Sequence, residues 1–144
     1  MTTLELVISI SLIVIICGIC FMKFKGDSYI INSFTKQLCS DIRYVRRENM
    51  LDNTNVYIRF VTENNRWGYV LHRNSMEDKK VFLPQNTNLN YPIGSTTSHI
   101  KFNRQGAFLQ GGGTITINKD SDYKYITIVP VSGRVLYKEG IYEK

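Results

Sequence analysis

The sequence predicts an α+β protein: a long N-terminal helix whose amphipathic C-terminal half packs on an antiparallel β-sheet or β-sandwich head. Three observations carry this expectation. An uncharged run from Leu6 to Met22 follows a single acid, Glu5. Apolar residues then recur at steps of three and four, at Ile31, Phe34, Leu38, Ile42 and Val45. From Val56 onward, short β-branched and aromatic segments alternate with turn residues. The expected boundaries are 1–25 for a transmembrane or filament-core helix, 26–52 for its amphipathic extension and 53–144 for the β-rich head. Residues 26–144 are expected to form one soluble domain, since about 120 residues suffice for one core.

The first element follows from hydropathy. As a helix, residues 1–22 measure about 33 Å at about 1.5 Å per residue, enough to span a hydrocarbon core of about 30 Å. In lipid the backbone has no other partner, so helix is enforced despite the many β-branched residues. A carboxylate at mid-bilayer costs roughly 2.5–3.5 kcal/mol, and Glu5, near one end, costs less; such acids are functional suspects. A cleaved signal peptide does not fit, because no Lys or Arg precedes Lys23 and no small-residue cleavage site follows. Lys23 and Lys25 follow the span, and the positive-inside rule alone would place the rest of the chain in the cytoplasm. Ser9, Ser11 and Gly18 permit close helix approach.

Gly26-Asp27-Ser28 is a weak point after the span. The apolar stripe then predicts a helix ending near Leu51, before the turn cluster Asp52-Asn53-Thr54-Asn55. Strands are expected at Val56–Val61, Trp67–His72, Lys80–Leu83, His99–Phe102, Thr114–Ile117, Tyr125–Val129 and Gly133–Tyr137. Glu63 to Arg66 turns the first pair into a hairpin, and Gln85 to Asn90 reads as loop.

Composition is that of a globular protein, 43% hydrophobic and 21% charged, so the membrane signal is local. No Gly-x-Ser-x-Gly, no His-x-x-x-His and no catalytic carboxylate pair occurs, so no enzyme is expected. Gly111-Gly112-Gly113 precedes a strand, which makes it a turn and not a phosphate loop. His72 and His99 lack acids or cysteines at ligand spacing. Cys17-Gly18-Ile19-Cys20 has CxxC spacing but lies in the apolar run with no His or acid to complete a site. Cys39 is alone in the remainder, so no disulfide is expected within it. Neither a metal nor a cofactor is expected.

The formal net charge is +6. A basic balance suits nucleic acid, anionic lipid or an acidic partner, or simply a solvated lysine-rich surface. Arg43, Arg46 and Arg47 cluster on the predicted helix, Lys101 and Arg104 flank a strand end, and Arg134 and Lys138 lie near the C-terminus. With Tyr123, Tyr125, Tyr137 and Tyr142 nearby in sequence, these seven are the candidate nucleic-acid contacts, acting by phosphate pairing and stacking.

The start, Met1-Thr2-Thr3-Leu4-Glu5-Leu6-Val7-Ile8, resembles the mature N-terminus of type IV pilins and pseudopilins, whose pattern is Phe-Thr-Leu-Ile-Glu before an apolar helix. Thr2 and Glu5 match, and Leu4 is an aliphatic substitute. Thr3 stands where Leu is usual, and Met1 where Phe is usual. The helix Phe34–Asn49 and the strand Val56–Phe60 are similar to the GspH/FimT minor-pilin group, and competence pseudopilins share much of the pattern. So are the segments Ile100-Lys101-Phe102-Asn103-Arg104-Gln105-Gly106 and Ile126–Val129 leading into Ser132-Gly133-Arg134-Val135. The resemblance implies a basic leader that is cut before Met1 by a prepilin peptidase, with methylation of the new amine. The leader's charges would hold the N-terminus inside and the head outside the cytoplasm. It further implies a single-pass membrane protein that joins other pilin or pseudopilin subunits in a pilus, secretion or competence filament, where Glu5 pairs with a neighbour's N-terminal amine. Some FimT-like members bind DNA through Gly-Arg-x-Arg. Here Gly133-Arg134-Val135-Leu136 has Leu136 in place of the second Arg. A DNA receptor is therefore the alternative expectation.

Overall fold

The computed structural model describes residues 3–74, 77–91, 99–119 and 121–140, without the side chains of 20–27. Helical backbone α1 runs Thr3–Met50. Eight strands follow: β1 (Tyr57–Glu63), β2 (Arg66–His72), β3 (Lys79–Phe82), β4 (Asn88–Asn90), β5 (His99–Ile100), β6 (Gly113–Lys119), β7 (Asp122–Ile128) and β8 (Val135–Gly140). They form two four-stranded antiparallel sheets, ordered β3-β2-β1-β5 and β4-β6-β7-β8.

The expected fold requires correction. The side chains of α1 are described in two stretches, residues 3–19 and 28–50, and the expected membrane span is not found among the described residues. Among the described residues no helix is long and apolar enough to cross a membrane. At Gly26-Asp27-Ser28, the weak point expected after the span, the backbone stays helical. The head also differs from the single run of seven strands expected, because residues 88–90 pair with β6 as an eighth. Periodicity missed β4 because its three residues are Asn, Leu and Asn; only Leu89 faces the core.

The stripe Ile31, Phe34, Leu38, Ile42 and Val45 is buried along its whole length. It joins one hydrophobic cluster with Ile58, Tyr69, Leu71 and Ile100 of the first sheet and Ile115, Ile117, Ile126 and Ile128 of the second. The β1–β2 hairpin turns at Asn64 and Asn65, both at positive φ (50° and 59°). This is the type I′ conformation that matches strand twist and that Asn tolerates. Gly111 and Gly112 also sit at positive φ, ahead of β6, as a turn. The last expected strand starts two residues early: Gly133 adopts φ 58° in a turn, and β8 begins at Val135.

Candidate functional site

The first candidate region is the apolar N-terminal stretch. Every described side chain from Thr3 to Ile19 is exposed, including Leu4 at 70% and Val7, Ile13, Val14 and Ile15 above half. Ser9 Oγ donates to Glu5 O at 2.9 Å and Ser11 Oγ to Val7 O at 2.8 Å. Their hydroxyls are thus satisfied within the helix, and the surface they leave is apolar. Glu5 is exposed, and its carboxylate has no ion pair among the described residues. Met1 lies outside the described residues. Cys17 is a free exposed thiol, Cys20 lies outside the described side chains, and no metal-ligating cluster occurs among the described residues.

The seven cationic candidates separate into distinct places. Arg43, Arg46 and Arg134 line one groove with Gly133, Val135 and Leu136. Arg46 is a clamp there: Nε donates to Gly106 O at 3.1 Å and Nη2 to Ser132 O at 3.0 Å. Arg43 Nη2 donates to Val135 O at 3.1 Å. These two arginines hold the Gly106 and 132–135 turns against α1, so much of their donor capacity is spent on the fold. Arg47 pairs with Glu48 at 3.2 Å and stacks on Tyr44. Arg104 pairs with Asp52. Lys101 lies elsewhere, with Nζ 4.9 Å from the Tyr57 ring centre. Arg134 and Lys138 are exposed and have no hydrogen-bonded or ionic side-chain partner among the described residues. Of the tyrosines, Tyr123 and Tyr125 stand parallel at 6.4 Å, Tyr137 Oη reaches Asn32 Oδ1 at 2.8 Å, and Tyr142 lies outside the described residues.

Sequence reasoning missed three features. Asp41 is 7% exposed and accepts from Tyr69 Oη at 2.6 Å, Lys79 Nζ at 2.7 Å and Gln37 Nε2 at 3.2 Å. Burial pushes the Tyr69 phenol upward, and its bond to Asp41 adds to that. Asn49, 1% exposed, donates to Asn53 O and Val56 O and accepts from Phe102 N, each at 2.9 Å. The signal was present: Asp41 lies three residues after Leu38, and Asn49 four after Val45, so both continue the apolar stripe as polar intruders. The third feature is a convergence. His72 and His99 both pack on Tyr57, with ring centres 4.9 Å and 4.7 Å away. His72 Nδ1 also meets Asp78 Oδ1 at 2.7 Å. No spacing in the sequence announces this, because it depends on which strands become neighbours.

Compared with family models, curated proteins and solved structures, the chain matches none.

Proposed function

We propose that this chain is a structural subunit, a minor pilin or pseudopilin, of a type IV pilus-like filament, and that it assembles through its apolar N-terminal stretch. One observation carries the reading. Residues 3–19 expose an almost unbroken apolar surface, while the head completes its own core without them. Contiguous apolar surface of this extent marks an interaction site. Glu5 is the one charge on it, and a carboxylate taken into an apolar interface needs a cation. The N-terminal amine of an adjacent subunit supplies that cation and fixes axial register. The reading includes prepilin peptidase as processing enzyme, the membrane as the place of storage before assembly, and other pilin-like subunits as partners, with the head outside the cytoplasm.

The test is to follow Glu5→Gln and Glu5→Ala chains through shearing and sedimentation of filaments. The expected result is normal membrane association with loss of most incorporation into the filament fraction. Incorporation at the unaltered level would remove the role given to Glu5.

A further inference from the structure

We propose that the free edge of β3 receives an extended segment of another protein, one in which an aliphatic residue is followed by an acid. This goes beyond the filament reading and does not depend on it.

Four strands end the two sheets: β3 and β5 in the first, β4 and β8 in the second. β5 has two residues and β4 three, too few to hold a partner strand. β8 lies against α1, where Arg43 donates to Val135 O and Tyr137 Oη to Asn32 Oδ1. On the outer side of β3, no strand pairs among the described residues. The register shows which backbone groups point there. Leu83 N donates to Trp67 O at 2.7 Å, so these two residues face each other as a hydrogen-bonded pair. Antiparallel pairs alternate in type, so Tyr69–Val81 and Leu71–Lys79 are bonded pairs as well. Lys80 and Phe82, between them, turn their N–H and C=O groups away from β2. These groups are a template for one more strand.

The side chains decide what that strand carries. Val81 pairs with buried Tyr69 and packs against the core, so it lies on the α1 side of the sheet. Beside it an open, mostly apolar groove of about 310 Å³ separates β3 from α1, lined by Tyr29, Ile30, Phe34, Val81 and Phe82. Tyr29 is 75% exposed and Ile30 47%, although they adjoin the buried stripe. An aliphatic side chain placed opposite Val81 enters this groove and covers them. Lys80 points to the other face of the sheet. It is exposed and has no carboxylate partner among the described residues. An acid directly opposite it completes a cross-strand ion pair.

A lysine on an edge strand ordinarily deters pairing. Here it deters a second copy, because two β3 edges side by side bring Lys80 near Lys80, and it selects an acidic strand instead. Backbone pairing supplies the affinity, while the groove and the lysine supply the specificity.

The test uses the full chain in detergent micelles and a fluorescent peptide, Ser-Thr-Ile-Glu-Val-Ser, followed by anisotropy. Antiparallel to β3, this probe sets its Ile opposite Val81 and its Glu opposite Lys80. Saturable binding is expected. Lys80→Glu should weaken it by about fivefold, and the same chain should gain by about as much for a probe with Lys in place of Glu. Ile30→Asp, at an exposed position, should weaken both probes. N-methylation of the probe's Glu nitrogen should abolish binding, because that N–H pairs with Lys80 O. The proposal is overturned if the unaltered chain does not bind the probe, or if the N-methylated probe binds equally well. It is equally overturned if Lys80→Glu changes neither affinity, which would mark partition into the micelle. Sedimentation that shows dimers dispersed by Ile30→Asp would make the occupant a second copy and overturn it too. Glu5→Gln leaves this edge intact and should bind the probe as the unaltered chain does, so the two readings fail separately.

Discussion

Tyr69 Oη, at the centre of the first sheet, donates a 2.6 Å hydrogen bond to Asp41 Oδ2 on α1. Both groups are buried, and Lys79 Nζ closes the cluster from β3 at 2.7 Å. One carboxylate therefore joins the helix to two strands. Asp41→Ala leaves a buried phenol and an ammonium without their acceptor. Since Lys79 is partly exposed and can turn to water, the expected loss is about 2 kcal/mol, below the range for fully buried pairs. Urea unfolding measures it, and Tyr69→Phe should lose less, about 1 kcal/mol.

Arg46 separates a structural role from a ligand role. Its bonds to the carbonyls of Gly106 and Ser132 predict that Arg46→Ala lowers stability by about 2 kcal/mol. Arg46→Lys should not restore it, because a point ammonium cannot reproduce the guanidinium fork. A stability equal to that of the unaltered chain would show that the clamp contributes nothing.

Two glycines at positive φ predict unequal costs. At Gly133 (φ 58°) an added Cβ would overlap the Gly106 carbonyl oxygen, whereas at Gly111 (φ 84°) nothing lies within 4 Å. Gly111→Ala should cost about 1 kcal/mol for the backbone alone. Gly133→Ala should cost clearly more, about 3 kcal/mol or above, because overlap adds to strain. Thermal unfolding of the two variants gives the comparison directly.

His99 predicts the response to acid. Desolvation first, then Lys101 and Arg59, lower its pKa below the ordinary 6.5. The folded chain therefore binds fewer protons than the unfolded chain as pH falls below 6.5, and its stability drops there. Above that pH both states hold a neutral ring and nothing is lost. His99→Gln should flatten this part of the profile, measured as the urea midpoint near pH 7.5 and near pH 5. An unchanged profile would exclude His99 as its source.

The amphipathic stretch was legible because one face of it meets the core at every stripe position from Ile31 to Val45. Most strands were legible for the related reason that alternation and turn residues are local properties. What failed was non-local or depended on extent. β4 needs β6 beside it before Asn88–Asn90 is a strand at all. The membrane reading summed hydropathy along the N-terminal run, and no helix among the described residues is long and apolar enough to cross a membrane. The basic cluster looked like one surface in sequence, yet Arg46 and Arg43 turn inward to backbone carbonyls while Lys101 sits over Tyr57. Charge is visible in a sequence, but its counter-groups are not.

Asn49 has a mechanical consequence. Its amide fastens the end of α1 to residues 53 and 56 and to Phe102. Asp41, eight residues earlier, fastens the same helix to β2 and β3. The two fastenings are about 12 Å apart along one rod. Tension applied to the N-terminal end of α1 and directed along its axis would load both in parallel, together with the buried stripe between them. Failure would have to proceed by sliding the rod past two sheets at once, not by peeling one contact at a time. A head joined in this way would move with its helix as one body under traction.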